Sequence, residues 1–70
     1  MKENLTYKIS WITSMLNLLE DSKRDYREAN ERYGELITQM GQDQAERHID
    51  LLKAEVKKYE DRLDKAVNPN

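Results

Sequence analysis

The stretch Ile37-Thr38-Gln39-Met40-Gly41-Gln42-Asp43-Gln44-Ala45-Glu46 decides how this chain folds. Gly41 stands just past the last residue of a long helical pattern, where glycine commonly stops a helix. Asp43 follows with Glu46 three residues on, a capping box with Asp in place of the usual Ser or Thr. One helix therefore ends and another begins within two or three residues. A connection that short joins antiparallel neighbours.

Upstream of the turn runs a stripe of Leu5, Ile9, Ile12, Leu16, Leu19, Lys23, Tyr26, Asn30, Tyr33, Ile37 and Met40. Its spacing alternates four and three, the signature of a heptad seam. Lys23 and Asn30 are its two polar members, and polar residues there set register and partner number at some cost in stability. This pattern predicts a first helix over about residues 4–40, with Asn4 as its N-cap. Downstream, Ala45, Ile49, Leu52, Val56, Tyr59, Leu63 and Ala66 repeat the alternation, which predicts a second helix over about 44–67. Asn68-Pro69-Asn70 stops it, and 68–70 reads as a disordered tail. The fold class is all-α. The expected unit is one domain over 1–70, an antiparallel two-helix hairpin that assembles as a dimer into a four-helix-type bundle.

Composition agrees with this reading. The chain has 70 residues, no Cys, two Gly and one Pro, so neither disulfides nor thiolate metal sites are available to staple a small core. Charged residues make up 37% of it, but 12 basic against 14 acidic residues give a net charge of −2, the mixed charge of solvated helix faces. Pairs four apart, such as Glu20–Arg24, Arg24–Glu28, Glu28–Arg32 and Lys57–Asp61, are expected to support the helices. The balance argues against nucleic acid, which needs clustered Lys and Arg. Met1-Lys2-Glu3-Asn4 is a poor start for a secretory signal, and the apolar stretch is too short and too polar to span a bilayer. A cytoplasmic location is expected, with no membrane partner.

The two helices are unequal. At about 1.5 Å per residue the first is about 55 Å long and the second about 36 Å. If seam positions that sum to about 82 face each other, Leu19 meets Leu63 and Leu16 meets Ala66, where the second helix runs out. About a dozen residues at the start of the first helix are then left without cover, and they are the most apolar of the chain. Trp11, Met15 and Leu18 add a second stripe beside the seam there. The segment 5–19, with Leu5, Ile9, Trp11, Ile12, Met15, Leu16, Leu18 and Leu19 as contact residues, is expected to bind a partner. Trp11 is the leading candidate, since Trp is enriched among binding hot spots.

No Gly-rich phosphate loop, paired carboxylates in an apolar setting or nucleophile–base pair is visible, and the chain is not expected to be an enzyme. The lone His48 flanks the second seam without a companion ligand, so neither metal nor cofactor is expected. Tyr26, Tyr33 and Tyr59 read as seam residues with surface hydroxyls. Gly34, inside the first helix, marks either a bend or the close approach of another helix. The expected function is a non-enzymatic regulatory or adaptor module that homo-oligomerises, most simply as a dimer, through residues 5–19. The alternatives are a chaperone or inhibitor that holds a helix of a different protein on the same face, and a peripheral binder of membrane surfaces.

Overall fold

The computed structural model describes the backbone of residues 2–67 and the side chains of residues 7–67. Among these residues it is all-helical: α1 spans Lys2–Glu31, α2 Tyr33–Met40 and α3 Gln42–Val67. The expected tail, 68–70, lies outside the described residues. The molecule is a rod, 54 × 20 × 13 Å, with a radius of gyration of 16.0 Å. A compact domain of this length would have about 11 Å.

The first predicted helix begins at Lys2 rather than Asn4 and is divided at Arg32, whose φ of −101° and ψ of 19° leave the helical range. Helical hydrogen bonding survives on both sides. The Arg32 N–H donates to the Glu28 carbonyl at 3.0 Å, and the Leu36 N–H donates to the Arg32 carbonyl at 2.9 Å. α1 and α2 thus meet at a bend rather than a loop. Gly34, which weakens a helix by about 1 kcal/mol relative to Ala, is the second residue of α2, beside that bend. Nothing lies within 4 Å of where a Cβ on Gly34 would sit, so it does not admit a neighbouring helix.

The connection between α2 and α3 is Gly41 alone, shorter than the sequence pattern suggested. Its φ of 86° and ψ of 158° fall in a region open essentially only to glycine. The Gly41 N–H donates to the Ile37 carbonyl at 2.8 Å, and its own carbonyl accepts from the Ala45 N–H at 2.9 Å. One residue therefore closes α2 and opens α3 through its backbone. Asp43 is not the N-cap, because α3 has already started at Gln42. It lies in the first turn, where its charge favours the positive end of the helix dipole.

α3 packs along α1 and α2 through two clusters. Near Gly41, Ala29, Leu36 and Ala45 are buried, with Tyr33, Ile37, Met40, Ile49 and Leu52 against them. Further away, Met15, Leu19 and Leu63 are buried, with Ile12, Val56 and Tyr59 packed on them. Residues early in α1 meet residues late in α3, and Leu19 does meet Leu63.

The buried line on α1 differs from the seam read in the sequence. It runs Ile12, Met15, Leu19, Ser22, Tyr26, Ala29, Tyr33, Leu36, Met40. Every seventh residue (Ile12, Leu19, Tyr26, Tyr33, Met40) is common to both lines. Between them the structure turns Met15, Ser22, Ala29 and Leu36 inward, each one residue before the expected Leu16, Lys23, Asn30 and Ile37; of these four only Ile37 also packs on the core, half-buried beside Leu36. Lys23 and Asn30 are exposed, and Leu16 is half exposed. The physical reason is desolvation: burying a Lys charge costs far more than burying a Ser hydroxyl. The Asn30 side-chain amide instead donates to the carbonyl of Tyr26 at 2.9 Å on its own helix. Ser22 and Ala29 are small residues buried on the face toward α3, and Ala45 on α3 is fully buried. No buried side-chain polar atom among the described residues lacks a partner.

Two ion pairs among the described residues are spaced three apart. Arg24 pairs with Asp21 at 3.3 Å and Arg32 with Glu35 at 3.1 Å, both exposed. Such pairs add only a few tenths of a kcal/mol.

Candidate interaction surface

With the inner line of α1 occupied by α3, apolar side chains remain on both sides of it at the N-terminal end. At about 100° per residue, Trp11 and Leu18 lie along one flank, with Tyr7 beside them. Ile9 and Leu16 lie along the other. These five side chains are between 43% and 76% exposed. Residues seven further on occupy the same flanks and are polar: Asp25 follows Leu18, and Lys23 follows Leu16. The apolar flanks are therefore confined to the first part of α1.

The structure sorts the residues expected to bind a partner into three groups. Ile9, Trp11, Leu16 and Leu18 are exposed. Met15 and Leu19 are buried inside the chain against Leu63, and Ile12 packs partly against the same cluster. Met15 and Leu19 thus support the surface from beneath, a division that one residue of rotation in the seam explains. The side chain of Leu5 lies outside the described residues. Tyr7, the most exposed of the group, belongs to the Trp11 flank and was not among the expected contact residues, although its spacing of four from Trp11 was legible. Lys8 is exposed and brings a single charge to the middle of the surface.

Thr13 keeps its polarity away from this surface by donating its hydroxyl to the Ile9 carbonyl at 2.9 Å. Elsewhere, exposed large apolar residues are single. Leu51 is 70% exposed on α3, and Val67 lies at the end of α3.

Two open grooves flank the seam around Ala29, the narrow part of the rod. One, about 260 Å³, has Ala29, Leu36 and Leu52 at its base and Asp25, Arg32 and His48 at its rim. The other, about 400 Å³, runs past Asn30, Tyr33, Glu46 and Asp50. The Tyr33 hydroxyl donates to the Glu46 carboxylate at 3.3 Å. Partial burial, and then the neighbouring Glu46 charge, raise the Tyr33 pKa above the usual tyrosine value. The phenol, protonated at neutral pH, bridges α2 and α3 through this hydrogen bond. Among the described residues no cluster of three or more His, Asp or Glu is placed to hold a metal ion. No helix among them is long and apolar enough to cross a membrane.

No protein-family model matches this chain, and neither a curated protein nor a solved structure matches it.

Proposed function

We propose that this protein is an antiparallel helical hairpin that acts by protein–protein contact and pairs with a second copy through the N-terminal part of α1. The observation that carries this reading is the confinement of Tyr7, Ile9, Trp11, Leu16 and Leu18 to two flanks of one helix end. Apolar area returned to water forgoes about 25 cal/mol per Å², and exposed apolar side chains grouped at one helix end are where soluble chains associate. Two-fold pairing is the commonest closed assembly, and it lets each copy cover the other with the same residues. Apolar flanks on both sides of the seam suit a bundle, in which a helix touches two neighbours. The assembled unit is a four-helix-type bundle serving as a regulatory or adaptor module, its charged outer faces left for other contacts.

Trp11 is the only tryptophan, so its fluorescence reports the surface directly. Emission should move to shorter wavelength as concentration rises through the micromolar range, with helix content unchanged. Constant emission from nanomolar to several hundred micromolar would overturn self-association and favour a helix of a different protein on the same face.

A further inference from the structure

We propose that Gly41 is a single-residue conformational switch: without its left-handed torsion the chain continues as one straight rod that joins further copies end over end. Gly41 already takes part in helical hydrogen bonding on both sides, donating to Ile37 and accepting from Ala45. Only its φ of 86° and ψ of 158° separate α2 from α3. The first N–H groups of α3 and the last carbonyls of α2 are the orphans that every helix end carries. A helical torsion at position 41 would pair Gln42 with Thr38, Asp43 with Gln39 and Gln44 with Met40. Glycine suits the folded-back form twice over, because it reaches this torsion freely and is a poor helix former.

The outcome of straightening follows from the phase of the two apolar lines. On one continuous helix, the line through Tyr33, Leu36 and Met40 and the line through Ala45, Ile49 and Leu52 would lie roughly 150° apart at 100° per residue. A second straight rod can cover only one of them. The α1 line of one copy must then take α3 of a second, while its own α3 line takes α1 of a third. That contact is heterologous and does not close, so the product is an open chain of copies rather than a swapped dimer.

The variant Gly41→Ala tests this. A Cβ at position 41 meets nothing within 4 Å, so its effect is on torsion and not on packing. The chain contains no cysteine, so spin labels attached through Glu20→Cys and Arg62→Cys are unambiguous. Doubly labelled protein is diluted into unlabelled protein, so that the distance is read within one chain and does not depend on whether N-terminal surfaces pair. With Gly41 the distance should stay within about the 20 Å width of the rod. With Gly41→Ala it should lengthen to about 60 Å, the reach of about 42 helical residues, with helix content retained and a scattering mass well above that of the Gly41 protein. Chemical synthesis with D-alanine at position 41, which favours positive φ, should restore both the short distance and the original mass. A short distance in Gly41→Ala, loss of its helix content, a long distance at the original mass, or opening by D-alanine would each overturn the proposal.

Discussion

The two ends of the rod solve the same packing problem differently. Near Gly41 the line facing α3 is built on Ala29, Leu36 and Ala45, with Ile37 half-buried against it and charged or amide side chains such as Asp25, Glu28, Asn30 and Arg32 exposed beside it. At the far end the facing line is built on Met15, Leu19 and Leu63, and the flanks are apolar as well. One helix thus carries a face matched to a single neighbour at one end and a face wider than that neighbour at the other. Burial within the chain explains the first. The flanks of the second are left uncovered by α3, and the proposed pairing would cover them.

The comparison breaks most readily at Leu63. Leu63→Ala removes the one buried α3 side chain that closes the far cluster, and should cost about 2–5 kcal/mol in urea unfolding. A loss under about 1 kcal/mol would mean that α3 does not pack there. Trp11→Ala should act on the opposite quantity. It should leave monomer stability within about 1 kcal/mol while weakening self-association by about 2 kcal/mol, some thirtyfold, read as the concentration dependence of the sedimenting mass.

Register can be sharpened by a pair of changes on adjacent residues. Ala29→Leu overfills the close approach opposite α3 and should destabilise by about 1–3 kcal/mol. Asn30→Ala, one residue on and exposed, should move the thermal midpoint little, within about 0.5 kcal/mol. The reverse ranking would restore the seam through Lys23 and Asn30.

The smallest expected effect is alkaline. The folded state holds the Tyr33 proton more tightly than the unfolded chain does, so this contribution is complete below the ordinary tyrosine pKa of about 10. It is lost as pH rises through the higher folded value. Tyr33→Phe should therefore flatten the fall in urea midpoint between pH 9 and pH 11. An unchanged slope would show that Tyr33 is not the group responsible.

Much of this architecture was legible in the sequence, for identifiable reasons. Gly41 stood between two heptad patterns, and periodicity alone made the chain all-helical. The meeting of Leu19 with Leu63 followed from counting away from Gly41. The division at Arg32 was not legible, because its φ and ψ belong to a residue type common in helices; only Gly34 hinted at weakness nearby. Over residues 16–30 the seam was misread by one residue because the large apolar Leu16 drew the line toward Lys23 and Asn30, whereas Ile37 does pack beside Leu36. Close helix contact rewards small residues as well as large ones, and Ser22 and Ala29 gave no apolar signal. That same shift explains why Met15 belongs to the core while Leu16 remains on the surface. The exposed set around Trp11 was visible as an apolar excess, but its division into two flanks needed the position of α3.

Sedimentation equilibrium over about 1 to 300 micromolar, on the unaltered chain with Trp11→Ala and Leu51→Ala beside it, tests the central claim most directly. Leu51 is as exposed as the N-terminal residues but stands alone on α3, so it controls for mere apolarity. The account predicts a rise from the 8.4 kDa monomer toward twice that mass for the unaltered chain and for Leu51→Ala, while Trp11→Ala makes the same rise only at about thirtyfold higher concentration. A folded unaltered chain that remains at 8.4 kDa throughout, or an equal loss of association in both variants, would contradict it.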